Sequence, residues 1–149
     1  MLVRLLYASR AVDNVSQEEL LNILSQSKAN NPGSGITGVL CSSGPIFLQL
    51  LEGGRMQVNA LYNQIAADAR HSDVVILSYE EISERKFANW SMGLVNLERL
   101  NPSVLLKYSE SATLDPYGVS GTASMALFDE LMATASIVGQ ANFSPSAAR

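Results

Sequence analysis

With one cysteine, one histidine and one tryptophan, this chain of 149 residues lacks the parts that several kinds of chemistry require. A lone Cys41 forms no internal disulfide, which fits a reducing compartment, and in "TGVLCSS" it reads as a small strand residue. Single copies of histidine and cysteine give no metal-ligand cluster. A serine-hydrolase triad would have only His71 to draw on, and no G-x-S-x-G nucleophile turn occurs. The phosphate-cradling P-loop and the G-x-G-x-x-G dinucleotide fingerprint are also absent. Basic side chains are scarce: ten Lys and Arg stand against fourteen Asp and Glu, a net charge of −4, so nucleic acid is excluded as a main partner. No apolar run approaches the roughly 18 residues of a membrane span. The opening "MLVRLLYASR" is apolar only as far as Ala8, too short for the apolar core of a signal peptide. The expectation is a cytoplasmic protein with neither a nucleic-acid nor a membrane partner.

The chain is rich instead in apolar side chains, 47% against 16% charged, which predicts a packed core. "LVRLLYAS", Leu2 to Ser9, reads as a strand covered on both faces. "VSQEELLNILSQSKANNPGSG" reads as a helix with Ser16 as N-cap, Glu19 completing a capping box and Val15 stapled on Leu20; Pro32, Gly33 and Gly35 end it. "GITGVLCSS" and "PIFLQLLEG" form a hairpin turning at Ser43-Gly44-Pro45. A second helix follows in "RMQVNALYNQIAADAR", then strands in "DVVILSYEEI" and "SMGLVNL". This order predicts an α+β fold: a ferredoxin-like, mixed five-stranded sheet with two helices on one face. The other face needs a cover, supplied by helical patterns in "PSVLLKYS" and "ASMALFDELMATASIVG". The tail "QANFSPSAAR" reads as frayed.

One residue fits the core poorly. Gln49 interrupts "IFLQLLEGG", and a buried amide without partners costs about 1–3 kcal/mol. Strand alternation puts Phe47, Gln49 and Leu51 on one face and Val3, Leu5 and Tyr7 on one face of the first strand, so Tyr7 and Gln49 can meet. On the first helix the core-facing stripe changes from Leu20, Ile23 and Leu24 to Ser27, Asn30 and Asn31. Each alone has a structural reading: Asn30-Asn31-Pro32-Gly33 as a helix end, Tyr7 as core, Trp90 and Met92 as core at strand spacing. Together they describe a planar polar guest held between helix and sheet. Asp68, Arg70 and His71 close the second helix, as solvated surface or as contacts to a phosphate or ribityl group.

Over roughly its first hundred residues the chain resembles the BLUF domain, a blue-light sensor with a non-covalently bound flavin. Tyr7 in "RLLYAS", Asn30 and Asn31 in "SKANNPGSGITGVL", Gln49 in "FLQLLEG", and Trp90 and Met92 in "WSMGL" carry the resemblance, in order and mutual spacing. It implies FAD, with FMN as the other possibility, lying between the two helices. Asn31, assisted by Asn30, would bond the pyrimidine edge, and Gln49 would sit between Tyr7 and the N5/C4=O edge. Ser27 would lie nearby, with Ile23 and Ile65 as apolar walls. No basic residue stands on the pocket side of the second helix, where Gln64 lies, so phosphate anchoring would fall to Lys28, Arg70 or His71. The resemblance also implies light-driven electron and proton transfer between tyrosine and flavin, followed by a rearrangement of the glutamine hydrogen bonds.

The expected layout is a flavin-binding domain over 1–98, a helical extension over 99–140 and a disordered tail over 141–149. No enzymatic activity is expected. Output would run through homo-oligomerisation or a separate signalling protein. Two rivals remain on the sequence: a small flavin-dependent reductase, and a cofactor-free ferredoxin-like interaction module.

Overall fold

The computed structural model describes residues 1–29, 34–134 and 136–138, and only the backbone of 25–29. Five strands, β1 (Leu2–Ala11), β2 (Thr37–Ser43), β3 (Ile46–Gly54), β4 (His71–Ile82) and β5 (Gly93–Asn96), form one sheet in the order β4-β1-β3-β2-β5. All neighbours are antiparallel except β2 and β5. The first four strands have the ferredoxin-like order, and β5 is added beside β2. Helices α1 (Gln17–Ala29) and α2 (Arg55–Ala66) link β1 to β2 and β3 to β4.

Alternation along β1 divides the interior. Val3, Leu5 and Tyr7 join Leu40, Phe47 and Leu51 under Leu20 and Leu24 of α1 and Val58, Leu61 and Ile65 of α2. Leu6 and Ala8 join Val39, Cys41, Leu48 and Leu50 on the opposite face. Helix α1 starts as its sequence requires: Ser16 Oγ accepts the Glu19 N–H at 3.0 Å, and Val15 packs on the core beneath. The residues expected to end it, Asn30 to Gly33, lie outside the described residues. The hairpin turns at Gly44, whose φ of +57° is a conformation that favours glycine.

Helix α3 (Pro102–Leu106) and helix α4 (Gly121–Ala133) cover the second face, where Leu127, Phe128 and Leu131 are buried. The helix expected over 123–139 stops at Ala133. Beyond it Ile137 and Val138 run extended, and Val138 exchanges two backbone hydrogen bonds with Leu94 of β5, at 2.9 and 3.1 Å. The free edge of β5 offers unpaired backbone groups, and a short apolar run satisfies them only as a strand. The first of the two expected C-terminal helices is likewise short, ending at Leu106 rather than Ser109. The expected tail, 141–149, lies outside the described residues. Among the described residues no helix is long and apolar enough to cross a membrane.

Candidate functional site

Tyr7 and Gln49 are register partners on adjacent central strands, with Leu40 of β2 on the other side of Gln49. Both side chains are fully buried on the face covered by α1 and α2. The Tyr7 hydroxyl donates to Gln49 Oε1, and Gln49 Nε2 donates to the Met92 sulfur at 3.4 Å. The amide thus has a strong neighbour at its oxygen and a weak acceptor, a thioether, at its nitrogen. Burial, with a smaller contribution from Tyr62, pushes the Tyr7 phenol far above its ordinary pKa. It therefore stays protonated and keeps its role as donor.

The structure separates Trp90 from Met92, which stand at strand spacing in the sequence and either of which could have met Gln49. Strand β5 begins only at Gly93, so the expected strand over 91–97 is shorter and neither residue lies in it. Trp90 N donates to the Phe87 carbonyl at 3.3 Å and Gly38 N to the Trp90 carbonyl at 2.9 Å. That turn delivers the indole to the α4 side, tilted against Phe87 with ring centres 6.2 Å apart. Met92 lies on the other side, at Gln49.

Around this pair, Ile65 is buried and Ile23 half-buried against the same core. The side chains of Ser27 and Lys28, and all of Asn30 and Asn31, lie outside the described residues. Helix α2 ends at Ala66, so Asp68, Arg70 and His71 do not close it, as the sequence reading had them. His71 starts β4 and is buried, which corrects its reading as solvated surface: its Nε2 donates to the Ile65 carbonyl. Asp68 accepts from Arg70 Nε at 2.9 Å, and this pairing holds its carboxyl down at about 2.

Two buried polar atoms on the helix-covered face, Ser9 Oγ and His71 Nδ1, have no hydrogen-bond partner among the described residues. Ser9 is paired with Phe47 and His71 with Ala11, both members of the core that holds Tyr7. Unpaired buried polar atoms are costly. Beside an amide bonded to a weak acceptor, they fit a guest that carries donors and acceptors on a flat apolar body. A flavin is such a group.

Sequence reasoning passed over two features. Tyr62 of α2 meets the Tyr7 ring edge to face, 5.6 Å between centres, and its helical spacing marked it only as core. Arg4 and Glu52 form a buried ion pair at 2.7 Å on the α4 face. The signal was the one that exposed Gln49: a charge in each of two strands whose neighbours are apolar.

Residues 2–93 match the family model described as BLUF, sensors of blue light using FAD. A blue light- and temperature-regulated antirepressor of Escherichia coli K12 is 34% identical over 97 residues, covering 65% of this chain and 24% of that protein. The photoactivated adenylate cyclase subunit alpha of Euglena gracilis is 38% identical over 88 residues, covering 59% of this chain and 9% of the cyclase subunit. The chain thus spans about a quarter or less of the length of these curated relatives. Among solved structures, BlsA in its photo-activated state superposes with a TM-score of 0.76 at 32% identity, over 89% of this chain and 95% of BlsA. BlrB, a BLUF protein in its dark state, gives 0.72 at 30% identity, over 90% of this chain and 96% of BlrB.

Proposed function

The chain belongs to the BLUF family, flavin-binding sensor modules rather than enzymes, and from that membership we propose that it is a blue-light photoreceptor whose switch is the chain Tyr7–Gln49–Met92 and whose flavin is FAD. The observation that carries this is the uneven bonding of Gln49: Oε1 to a phenol, Nε2 to a thioether. An amide bonded equally well at both ends resists rearrangement, whereas one end here is cheap to release.

Tyr7, Gln49 and Met92 would hold the polar edge of the ring, Ile23 and Ile65 its flat faces, and Asn30 and Asn31 its pyrimidine side. Ser27 would sit near Gln49, and Lys28, Arg70 and His71 would serve the rest of the cofactor, with Asp68 fixing Arg70. A bound flavin would supply blue-light absorption and an excited acceptor for an electron from a nearby phenol. Burial keeps the proton on Tyr7 in the dark, so it would leave only once the phenol ring had given up an electron. Gln49 Oε1, which accepts the Tyr7 hydroxyl, would receive it. By rotation or by tautomer change, Gln49 would then exchange which neighbour it donates to and give up the Met92 contact.

The flavin unit would occupy 1–98 and the output-bearing extension 99–140. The change would be read as altered homo-oligomerisation or binding of a separate signalling protein, in the cytoplasm. The test is the visible spectrum of the purified protein before blue light, directly after it and during dark recovery, with the released flavin identified by mass. A flavin band that shifts red and returns is expected, with FAD released. A flavin that responds only to added reductant, or no flavin after reconstitution, overturns the reading.

A further inference from the structure

We propose that Glu52 is a positioning residue for the photoactive chain: its buried carboxylate fixes the crossover between β4 and β5 to the sheet and so holds the Met92 sulfur against the Gln49 amide. The inference rests on the reading of Gln49 given above. Because β4 and β5 lie at opposite edges, residues 83–92 must travel four inter-strand spacings, about 19 Å, across the sheet. They do so on the α4 face, where Phe87 stacks edge to face on Phe128, with ring centres 6.1 Å apart.

A polar rung lies beneath that path. Glu80, Arg4, Glu52 and Thr37 are successive register partners across β4, β1, β3 and β2. Arg4 binds Glu52 through Nε and Glu80 through Nη1, each at 2.7 Å. The crossover is strapped to this rung: Glu52 Oε1 accepts from Phe87 N at 2.8 Å, Glu52 Oε2 accepts from Lys86 N at 3.2 Å, and Arg85 Nη1 donates to Thr37 Oγ1 at 2.9 Å. Three donors converge on a side chain with no exposed surface, and both of its oxygens accept.

Sheet stability alone does not call for this arrangement, since well-packed apolar residues commonly replace a buried ion pair without loss. The two backbone bonds are the informative part, because they couple the pair to a segment that has no strand of its own. From Phe87 the chain is pinned again at the Trp90 carbonyl by Gly38, and Met92 follows two residues later. Strand β3 therefore carries Gln49 on one face and, three residues on, the anchor that presents its partner from the other.

The experiment uses the flavin-loaded protein with 13C-labelled methionine methyls, comparing Glu52→Gln with the wild type. Glutamine offers one acceptor oxygen and turns an NH2 towards one of the former donors, so the crossover loses part of its hold. The Met92 methyl resonance should shift or broaden while those of Met1 and Met56 stay. The dark recovery rate should change by roughly threefold or more, the kinetic equivalent of one hydrogen bond's net worth. In a Met92→Ala background the same substitution should leave recovery unchanged. An unmoved Met92 resonance in a folded Glu52→Gln protein overturns the proposal, as does a recovery effect that persists undiminished without Met92. Should Glu52→Gln not fold, Arg85→Ala loosens the same crossover and must move the same resonance, and an unmoved one overturns the proposal. A wild type that shows no photocycle but whose Met92 resonance responds to Glu52→Gln would remove the photoreceptor reading and leave the positioning role standing.

Discussion

Removing the Tyr7–Gln49 bond from either side tests whether that pair is what the geometry says it is. Both side chains are fully buried, so neither has water to turn to when its partner is lost. Gln49→Leu keeps the volume and strands the Tyr7 hydroxyl, at a cost of about 1–3 kcal/mol. Tyr7→Phe strands Gln49 Oε1 at a similar cost of about 1–3 kcal/mol. In the double variant neither orphan remains, so the double loss should fall short of the sum by about 1–2 kcal/mol. At roughly 3 °C per kcal/mol for a chain of this size, each single variant melts about 3–9 °C lower, and the double melts about 3–6 °C above the additive expectation. Thermal unfolding followed by circular dichroism, at one saturating flavin concentration for all four proteins, gives the three differences. Additivity within about 0.5 kcal/mol would show that the two groups do not bond each other. All three variants should retain flavin and lack the reversible red shift, and a normal shift in Gln49→Leu would refute the switch role outright.

Met92→Leu removes the sulfur that accepts from Gln49 Nε2, so it should change the dark recovery rate, whereas Trp90→Phe, on the other face, should leave the size of the red shift intact; transient absorption distinguishes them. Phe128→Ala empties a fully buried site on α4 and should cost about 3–5 kcal/mol in urea unfolding while flavin stays bound. Asp68 titrates lower folded than unfolded because of Arg70, so its contribution is present above its ordinary value of 3.8 and is lost as the pH falls towards about 2. Asp68→Asn should therefore flatten the dependence of stability on pH in that interval, and unchanged slopes in acid titrations would contradict the pairing.

Much of the fold could be read from local patterns because those patterns answer to local physics. Ser16 caps where a hydroxyl three residues before an acid predicts it, and β1 is covered on both faces as apolar side chains on both of its faces demand. Gln49 stood out because an amide in the apolar run of β3 needs a partner, and Tyr7 is the partner that alternation supplies. Which of Trp90 and Met92 lies near Gln49 was not readable from the sequence, because a spacing of two signals one face only if the backbone is a strand. Here a turn held by Phe87 and Gly38 intervenes. The corner at His71 was missed for a similar reason: helical periodicity runs on through Ala69, but the backbone leaves the helix at Ala66 so that His71 can pair with Ala11. Ile137 and Val138 have the composition of either a helix end or a strand, and only the open edge of β5 decides between them. Arg4 and Glu52 were passed over although each is a charge in an apolar strand, and pairing them with Lys86 and Phe87 needs the tertiary path of a segment without periodicity.

That path also has a kinetic side. Strand β5 pairs with β2 alone among the named strands, and the chain reaches it only by crossing the face of the sheet. The crossover is strapped to Glu52 of β3 and Thr37 of β2, so it docks after those strands have paired and once the loop it closes has been ordered. Folding should therefore run from the β2–β3 hairpin and its pairing with β1 outward, with Met92 arriving among the last residues to dock. Pulse-labelled hydrogen exchange during refolding should protect the amides of β1 and β3 before those of Leu94 and Val95. A chain that has folded only this far would already pair Tyr7 with Gln49 yet lack the sulfur at the amide nitrogen, so the completed photoactive chain doubles as a marker that the whole sheet is closed.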